Sequence, residues 1–198
     1  GQFVNRSAEQ TDKRRALLSE WTDVLAHGAG IIVIKDGLAK PDVIDRASQI
    51  FQTIIETEQV ASGGGGDHFA KAGANDRVWN SLEKHCLADP QNFAAYYASH
   101  GIAMAAEAWL GPSYQMTAQV NRVNPGGAAQ SPHRDYHLGF MMAEQAVAWP
   151  AHVHSLSPYL TLQGAVAHCD MPLKSGPTQL LPFSQSFTEG YLAFSRSE

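Results

Sequence analysis

The sequence predicts an α+β fold with helices packed on an antiparallel sheet or barrel. Two observations predict it: apolar residues recur at spacings of three and four through roughly the first 110 residues, whereas the remainder carries alternating and β-branched runs. Helices followed by strands is the order of an α+β domain, not of repeated βαβ units.

Each element follows from its own pattern. Residues 8–27 are read as a helix because Leu17, Leu18, Trp21, Val24 and Leu25 form one stripe, with Gly28 and Gly30 ending it. Ile31–Ile34 is a β-branched run, read as a strand buried on both faces. Asp36-Gly37 marks a turn, and Pro41-Asp42 opens a second helix running to about Val60, with Val43, Ile44, Ala47, Ile50, Phe51 and Ile54 as its apolar stripe. Ser62–Gly66 contains four consecutive glycines, so residues 62–76 are expected to form a lid beside the functional site. It is not a phosphate loop, because the Gly-Lys-Ser/Thr ending is missing. Pro90–Leu110 reads as a further helix, carrying Phe93, Tyr96, Tyr97, Ile102, Met104 and Trp109 and closed by Gly111-Pro112. Tyr114–Val123 alternates as a strand does, and Asn124-Pro125-Gly126-Gly127 is a turn. Leu160–Ala167 and Gln179–Leu181 read as later strands joined by the Pro172–Pro177 loop.

Composition narrows the function classes. The chain has 198 residues and a net charge of -5, which argues against nucleic acid as a partner. No apolar run reaches the roughly 18 residues of a membrane span. Cys86 and Cys169 make no disulfide framework, so a reduced, cytoplasmic compartment is expected. Nine histidines direct attention to metal or acid–base chemistry.

The sharpest chemical signal is Pro132-His133-Arg134-Asp135-Tyr136-His137. On extended backbone, residues two apart project to one side. His133 and Asp135 would then present an imidazole nitrogen and a carboxylate oxygen together, two members of the 2-His-1-carboxylate facial triad that holds Fe(II) with open positions. The other reading of such a pair is a surface ion pair or a hydrogen-bonded turn. His137, two residues on, is a candidate to orient a ligand or to contact substrate. Arg77 is a candidate anion anchor, or else pairs with Asp76 or another carboxylate. Gln119, Asn121 and Gln130, on or beside the strand that feeds the motif, are candidates to reach a cosubstrate. His152 and His154 read as a polar loop, and His168 as a satisfied core or rim histidine ahead of a ligand. Ser184 and Ser186 lack the partners of a nucleophilic triad.

The stretch from Gln119 through His133 to His137 resembles the first metal-binding segment of the phytanoyl-CoA dioxygenase family. His168–Ser184 is similar to that family's acidic-residue, Asn/Ser-Gly-Pro and Pro-x-Ser stretch, and His27–Leu38 to its opening strand. The resemblance covers most of residues 25–190. It implies a double-stranded β-helix (jelly-roll, cupin-like) core with N-terminal helices packed on it. It also implies Fe(II) and 2-oxoglutarate as cofactor and cosubstrate, with O2 and a small molecule as the other reactants. His133 and Asp135 stand where that family ligates iron. Halogenating relatives replace this carboxylate with a small residue, so Asp135 implies hydroxylation. Two departures stand out. Pro182-Phe183-Ser184-Gln185 occupies the place of Pro-Gly-Ser-His, and downstream of it there is Arg196 but no distal His. The expectation is therefore one oxygenase domain over residues 1–198, continued by a segment that supplies the third ligand and the 2-oxoglutarate arginine. The competing expectations are a non-catalytic jelly-roll binding module, or a cupin-type metalloenzyme that does not use 2-oxoglutarate.

Overall fold

The structure is a computed structural model, and it describes residues 8–38, 40–62, 75–127, 133 and 143–186. Helix α1 (Ala8–Ala26) ends at Gly28 and Gly30, as its sequence requires. Gly30 takes a φ of +74°, in the left-handed region that favours glycine, and a Cβ there would displace the Gln185 side-chain amide, 2.6 Å away. Helix α2 (Pro41–Ser62) begins with proline at its first position. Its buried stripe of Ala47, Ile50, Phe51 and Ile55, with Ile54 beside it, follows the 3.6-residue period.

The expected helix over 90–110 is two helices, α4 (Pro90–Tyr97) and α5 (His100–Leu110), and α3 (Ser81–Ala88) precedes them. The breaks are made by caps. Asp89 accepts from the Asn92 amide at 2.9 Å to start α4, and Ser99 accepts from the Ile102 amide at 3.3 Å to start α5. The Ser99 hydroxyl also donates to Gly37 O at 2.8 Å, tying this break to the loop after residue 34.

Strand β1 (Asn75–Val78) pairs antiparallel with β2 (Val120–Val123), matching Asp76 with Arg122, Arg77 with Asn121 and Val78 with Val120. One face of this ribbon meets the core of Ala47, Phe51 and Tyr96, against which Val120, Ile54, Val43 and Val166 pack. Helix α1 lies on α5, where Arg14 pairs with Glu107 and the Thr22 hydroxyl donates to Ala108 O at 2.8 Å. Two short helices, α6 (Ala143–Ala146) and α7 (Ala151–Leu156), then lead into 3-10 turns at Ser157–Leu160, Leu173–Ser175 and Ser184–Ser186.

Several expected strands are not strands. Ile31–Ile34, Leu160–Ala167 and Gln179–Leu181 carry no ladder, and the expected strand over 114–123 is regular only from Val120. A β-branched run becomes a strand only where a partner strand accepts its backbone hydrogen bonds. Among the described residues β1 and β2 form the only sheet. Val33 is 87 % exposed where burial on both faces was expected. Leu160 closes a 3-10 turn that Pro158 helps to start. The architecture shown is a mixed one of helices and a small sheet, and a jelly roll is not seen in the described residues.

The C-terminal segment docks at discrete points. The Trp109 indole donates to Thr161 O at 3.1 Å and stacks on Tyr159 at 5.3 Å. Gln185 Nε2 donates to Leu25 O at 3.2 Å and Gly28 O at 2.9 Å, satisfying carbonyls at the end of α1. The Phe183 amide donates to Ala29 O at 3.0 Å. Phe183 has a φ of +64°, the left-handed region that favours glycine, at the position where the resemblance expects glycine.

Candidate metal and cosubstrate site

Three of the residues chosen from the sequence come together on the ribbon. Arg77 faces Asn121 directly across β1 and β2, and Gln119 stands two residues before Asn121 on the same side. The Arg77 guanidinium lies 5.5 Å from the Trp79 ring centroid and at a long 3.4 Å from Gln119 Oε1. Gln119, Asn121 and Trp79 are exposed and Arg77 half-buried, so this face is polar and accessible. The ion pair between Arg77 and Asp76, kept open in the sequence, does not fit the pleat: adjacent strand residues point to opposite faces. The guanidinium on the Asp76 carboxylate is that of Arg122, across the ladder.

Asp76 is the charged centre of the opposite face. Its Oδ2 accepts from Arg122 Nε at 3.0 Å, Arg122 Nη2 at 2.6 Å and Asn124 Nδ2 at 2.8 Å, and its Oδ1 accepts from Gln59 Nε2 at 2.6 Å. Burial pushes the carboxyl up, but the bonds from Asn124 and Arg122, with the guanidinium charge, more than offset it and hold it below the ordinary carboxylate range. Nothing in the spacing marked this group, because its partners lie 17, 46 and 48 residues away.

From β2 the chain turns at Asn124–Gly127, where the Gly127 amide donates to Asn124 O at 2.9 Å and Gly126 has a φ of +84°. This is the turn the sequence predicts. His133 follows and is half-buried. Asp135, Gln130 and His137 lie outside the described residues, as does most of the expected lid. Residues 75 and 76 of that lid belong instead to β1.

The other histidines have different work. His168 Nε2 is 2.8 Å from the Tyr96 hydroxyl and Nδ1 is 2.8 Å from Ser48 Oγ, which also lies 2.9 Å from Ile44 O. A neutral imidazole satisfies this set, with Tyr96 donating to Nε2 and Nδ1–H donating to Ser48. Burial, and after it the nearby His85, keep the His168 imidazole below its ordinary value, while burial raises the Tyr96 hydroxyl. With both ring nitrogens engaged, His168 is the satisfied rim histidine expected of it. His85 is fully buried among Phe51, Phe93, Tyr96 and Tyr97, and its Nε2 is 2.8 Å from Asn92 Oδ1. It is packed edge-on by these rings, and its Nδ1 is buried without a hydrogen-bond partner among the described residues. His152 and His154 stand on α7 rather than in a loop. Among the described residues no three His, Cys, Asp or Glu converge to hold a metal ion, so His133 is the one described donor of the expected set. One imidazole and one carboxylate are two of the three donors that a facial Fe(II) site takes, and a second imidazole is the donor still to be supplied.

A family model for phytanoyl-CoA dioxygenase (PhyH) matches residues 26–197, nearly the whole chain. The chain belongs to the phytanoyl-CoA dioxygenase family. Membership implies the general function of Fe(II)- and 2-oxoglutarate-dependent oxygenases, which act on small molecules with O2. Neither the curated proteins nor the solved structures gave a match. No helix among the described residues is long and apolar enough to cross a membrane.

Proposed function

We propose that this protein hydroxylates a small organic substrate, using Fe(II) and 2-oxoglutarate, in a cytoplasmic setting and without nucleic acid as partner. The observation that carries the reading is the meeting of Arg77, Gln119 and Asn121 on one exposed face of the ribbon whose second strand leads to His133. His133 and Asp135 would hold the iron, the first through a neutral imidazole nitrogen and the second through a carboxylate oxygen. When bound, the iron and 2-oxoglutarate supply O2 activation coupled to oxidative decarboxylation of the cosubstrate. Arg77 offers a fixed positive charge to a cosubstrate carboxylate, and the Gln119, Asn121 and Gln130 amides offer hydrogen bonds that orient it. The Trp79 ring supports the guanidinium and gives the face an apolar wall. Asp135 favours hydroxylation over halogenation, because a carboxylate at that position leaves no ligand place for chloride.

Anaerobic Fe(II) titration in the presence of 2-oxoglutarate tests this. The expected result is a visible metal-to-ligand charge-transfer band that is lost in His133→Ala. Iron binding with no such band would support a cupin-type enzyme that does not use 2-oxoglutarate, and no iron binding would support a binding module.

A further inference from the structure

The chain from Thr161 to Gln185 is fastened to the helices at both of its ends. At the start Thr161 O accepts from the Trp109 indole, and at the finish the Phe183 amide and the Gln185 side chain donate to carbonyls at and just beyond the end of α1. Within residues 161–170 all side chains are exposed except Leu162, Val166 and His168. Val166 packs against the core of Ala47, Phe51 and Tyr96. Two residues on, His168 bonds to Ser48 of α2 and Tyr96 of α4, each at 2.8 Å.

This pair of bonds suits a neutral ring. Tyr96 donates to Nε2, so a second ring proton would meet the hydroxyl proton head-on. If the hydroxyl turned to accept instead, its own proton would be left over, because Tyr96 is 6 % exposed and has no other hydrogen-bond partner among the described residues. The surroundings offer a cation nothing in return. The groups facing His168 are Ser48 and Phe51 of α2, Tyr96 of α4 and the second imidazole, His85 of α3. Arg46 of α2 and Asp89 ahead of α4 pair with each other, and on its own segment His168 is followed by Cys169 and Asp170, both exposed.

We propose that His168 is a protonation-operated latch: its neutral ring holds residues 161–170 on α2 and α4, and its protonation releases this segment while the helices stay folded. Burial, and after it His85, keeps the latched imidazole below its ordinary value, and a released ring in water regains that value. Lowering the pH below about 6.5 therefore favours release, by up to about tenfold per pH unit for the one proton taken up, until the latched ring itself titrates. Release lifts Val166 from the core and uncovers Ser48, Phe51 and Tyr96 between α2 and α4. The anchors at Thr161 and Gln185 confine the motion to the middle of the segment.

NMR on the whole chain between about pH 7.5 and 5 tests this, because the range spans histidine titration. Three quantities are followed: nuclear Overhauser contacts from the Val166 methyls to the Phe51 and Tyr96 rings, the ring shifts of His168, and amide hydrogen exchange in α2 and α4 corrected for its intrinsic pH dependence. In the wild-type protein the Val166 contacts are expected to weaken on acidification with the same midpoint as the His168 ring, while protection in α2 and α4 persists. In His168→Gln the contacts, whether strong or weak, are expected to be the same at both ends of the range. Contacts that do not change with pH in the wild type, a midpoint that differs from that of the His168 ring, or a loss that persists in His168→Gln would overturn the proposal. Loss of protection in the helices at the same midpoint would overturn it too, since unfolding would then be global.

Discussion

The helices α1 to α5 bury their apolar side chains against one another and against the ribbon. Leu25, Ala47, Ile50, Phe51, Ile55, Val78, Tyr96 and Ala106, the buried apolar residues among those described, all precede residue 107. Among the described residues beyond Gly111 the pattern reverses. Leu160, Leu173, Leu180 and Leu181 are exposed, Leu173 at 93 %. This second region is held where Val166 enters the core, where His168 bridges Ser48 and Tyr96, and where Gln185 meets the end of α1. Among the described residues, the difference teaches that the first region owes its shape to area removed from water, whereas the second is held at a few fixed points, most of them polar. Single changes in the second region are therefore expected to loosen it locally while the helices stay folded.

The largest expected effect sharpens this contrast. Phe51→Ala removes a ring in contact with His85, Tyr96 and His168, and should cost about 3–5 kcal/mol in urea unfolding. Leu180→Ala should stay within about 0.5 kcal/mol. Similar costs at the two sites would break the contrast.

Next comes the pin at His168. Replacing it by Ala leaves the Tyr96 and Ser48 hydroxyls without this partner and should cost about 1–3 kcal/mol. Its imidazole is held below the ordinary value by burial, so the folded chain binds fewer protons than the unfolded one in the window below about 6.5. Stability should therefore fall as the pH drops from about 6.5 toward the folded value. In His168→Ala this part of the slope should disappear, and an unchanged slope would remove His168 as its source.

Smaller effects are expected at the α1 end. Gln185→Ala removes the donor to Leu25 O and Gly28 O and should cost about 1 kcal/mol, read from thermal melting. Phe183 holds a φ of +64° with a half-exposed side chain. Phe183→Gly should be about 1 kcal/mol more stable than Phe183→Ala, because only glycine occupies that backbone region without a Cβ clash. Equal stability of the two variants would mean that this backbone strain is absent.

What the sequence revealed follows the same division. The α2 stripe was legible because a helix buries residues at a fixed local spacing, and Pro41 and Gly30 marked boundaries by their own backbone limits. The break at Ser99 was not, because an Ala-rich run hides a cap whose second partner, Gly37 O, lies 62 residues away. Strand readings at 31–34 and 160–167 went too far, since β-branched residues state a preference that a partner strand must meet. At the candidate site, Arg77, Gln119 and Asn121 were chosen singly, and their shared face emerged only from the register of β1 on β2. Asp76 was missed because a buried ion pair across a ladder leaves no trace in local spacing. The role of Gln185 was equally hidden: it stands where the family resemblance expects histidine, and its partners are 157 and 160 residues away.

The central claim is that the ribbon face and the His133–Asp135 segment form one 2-oxoglutarate-dependent site. Conversion of 2-oxoglutarate to succinate by Fe(II)-loaded protein tests it most directly, measured beside the folded variants His133→Ala and Arg77→Ala. Wild-type protein should form succinate, His133→Ala should form none, and Arg77→Ala should raise the KM for 2-oxoglutarate about tenfold, the loss of roughly 1.4 kcal/mol of binding. Succinate formation by His133→Ala at the wild-type rate, or none by iron-loaded wild-type protein, would contradict it.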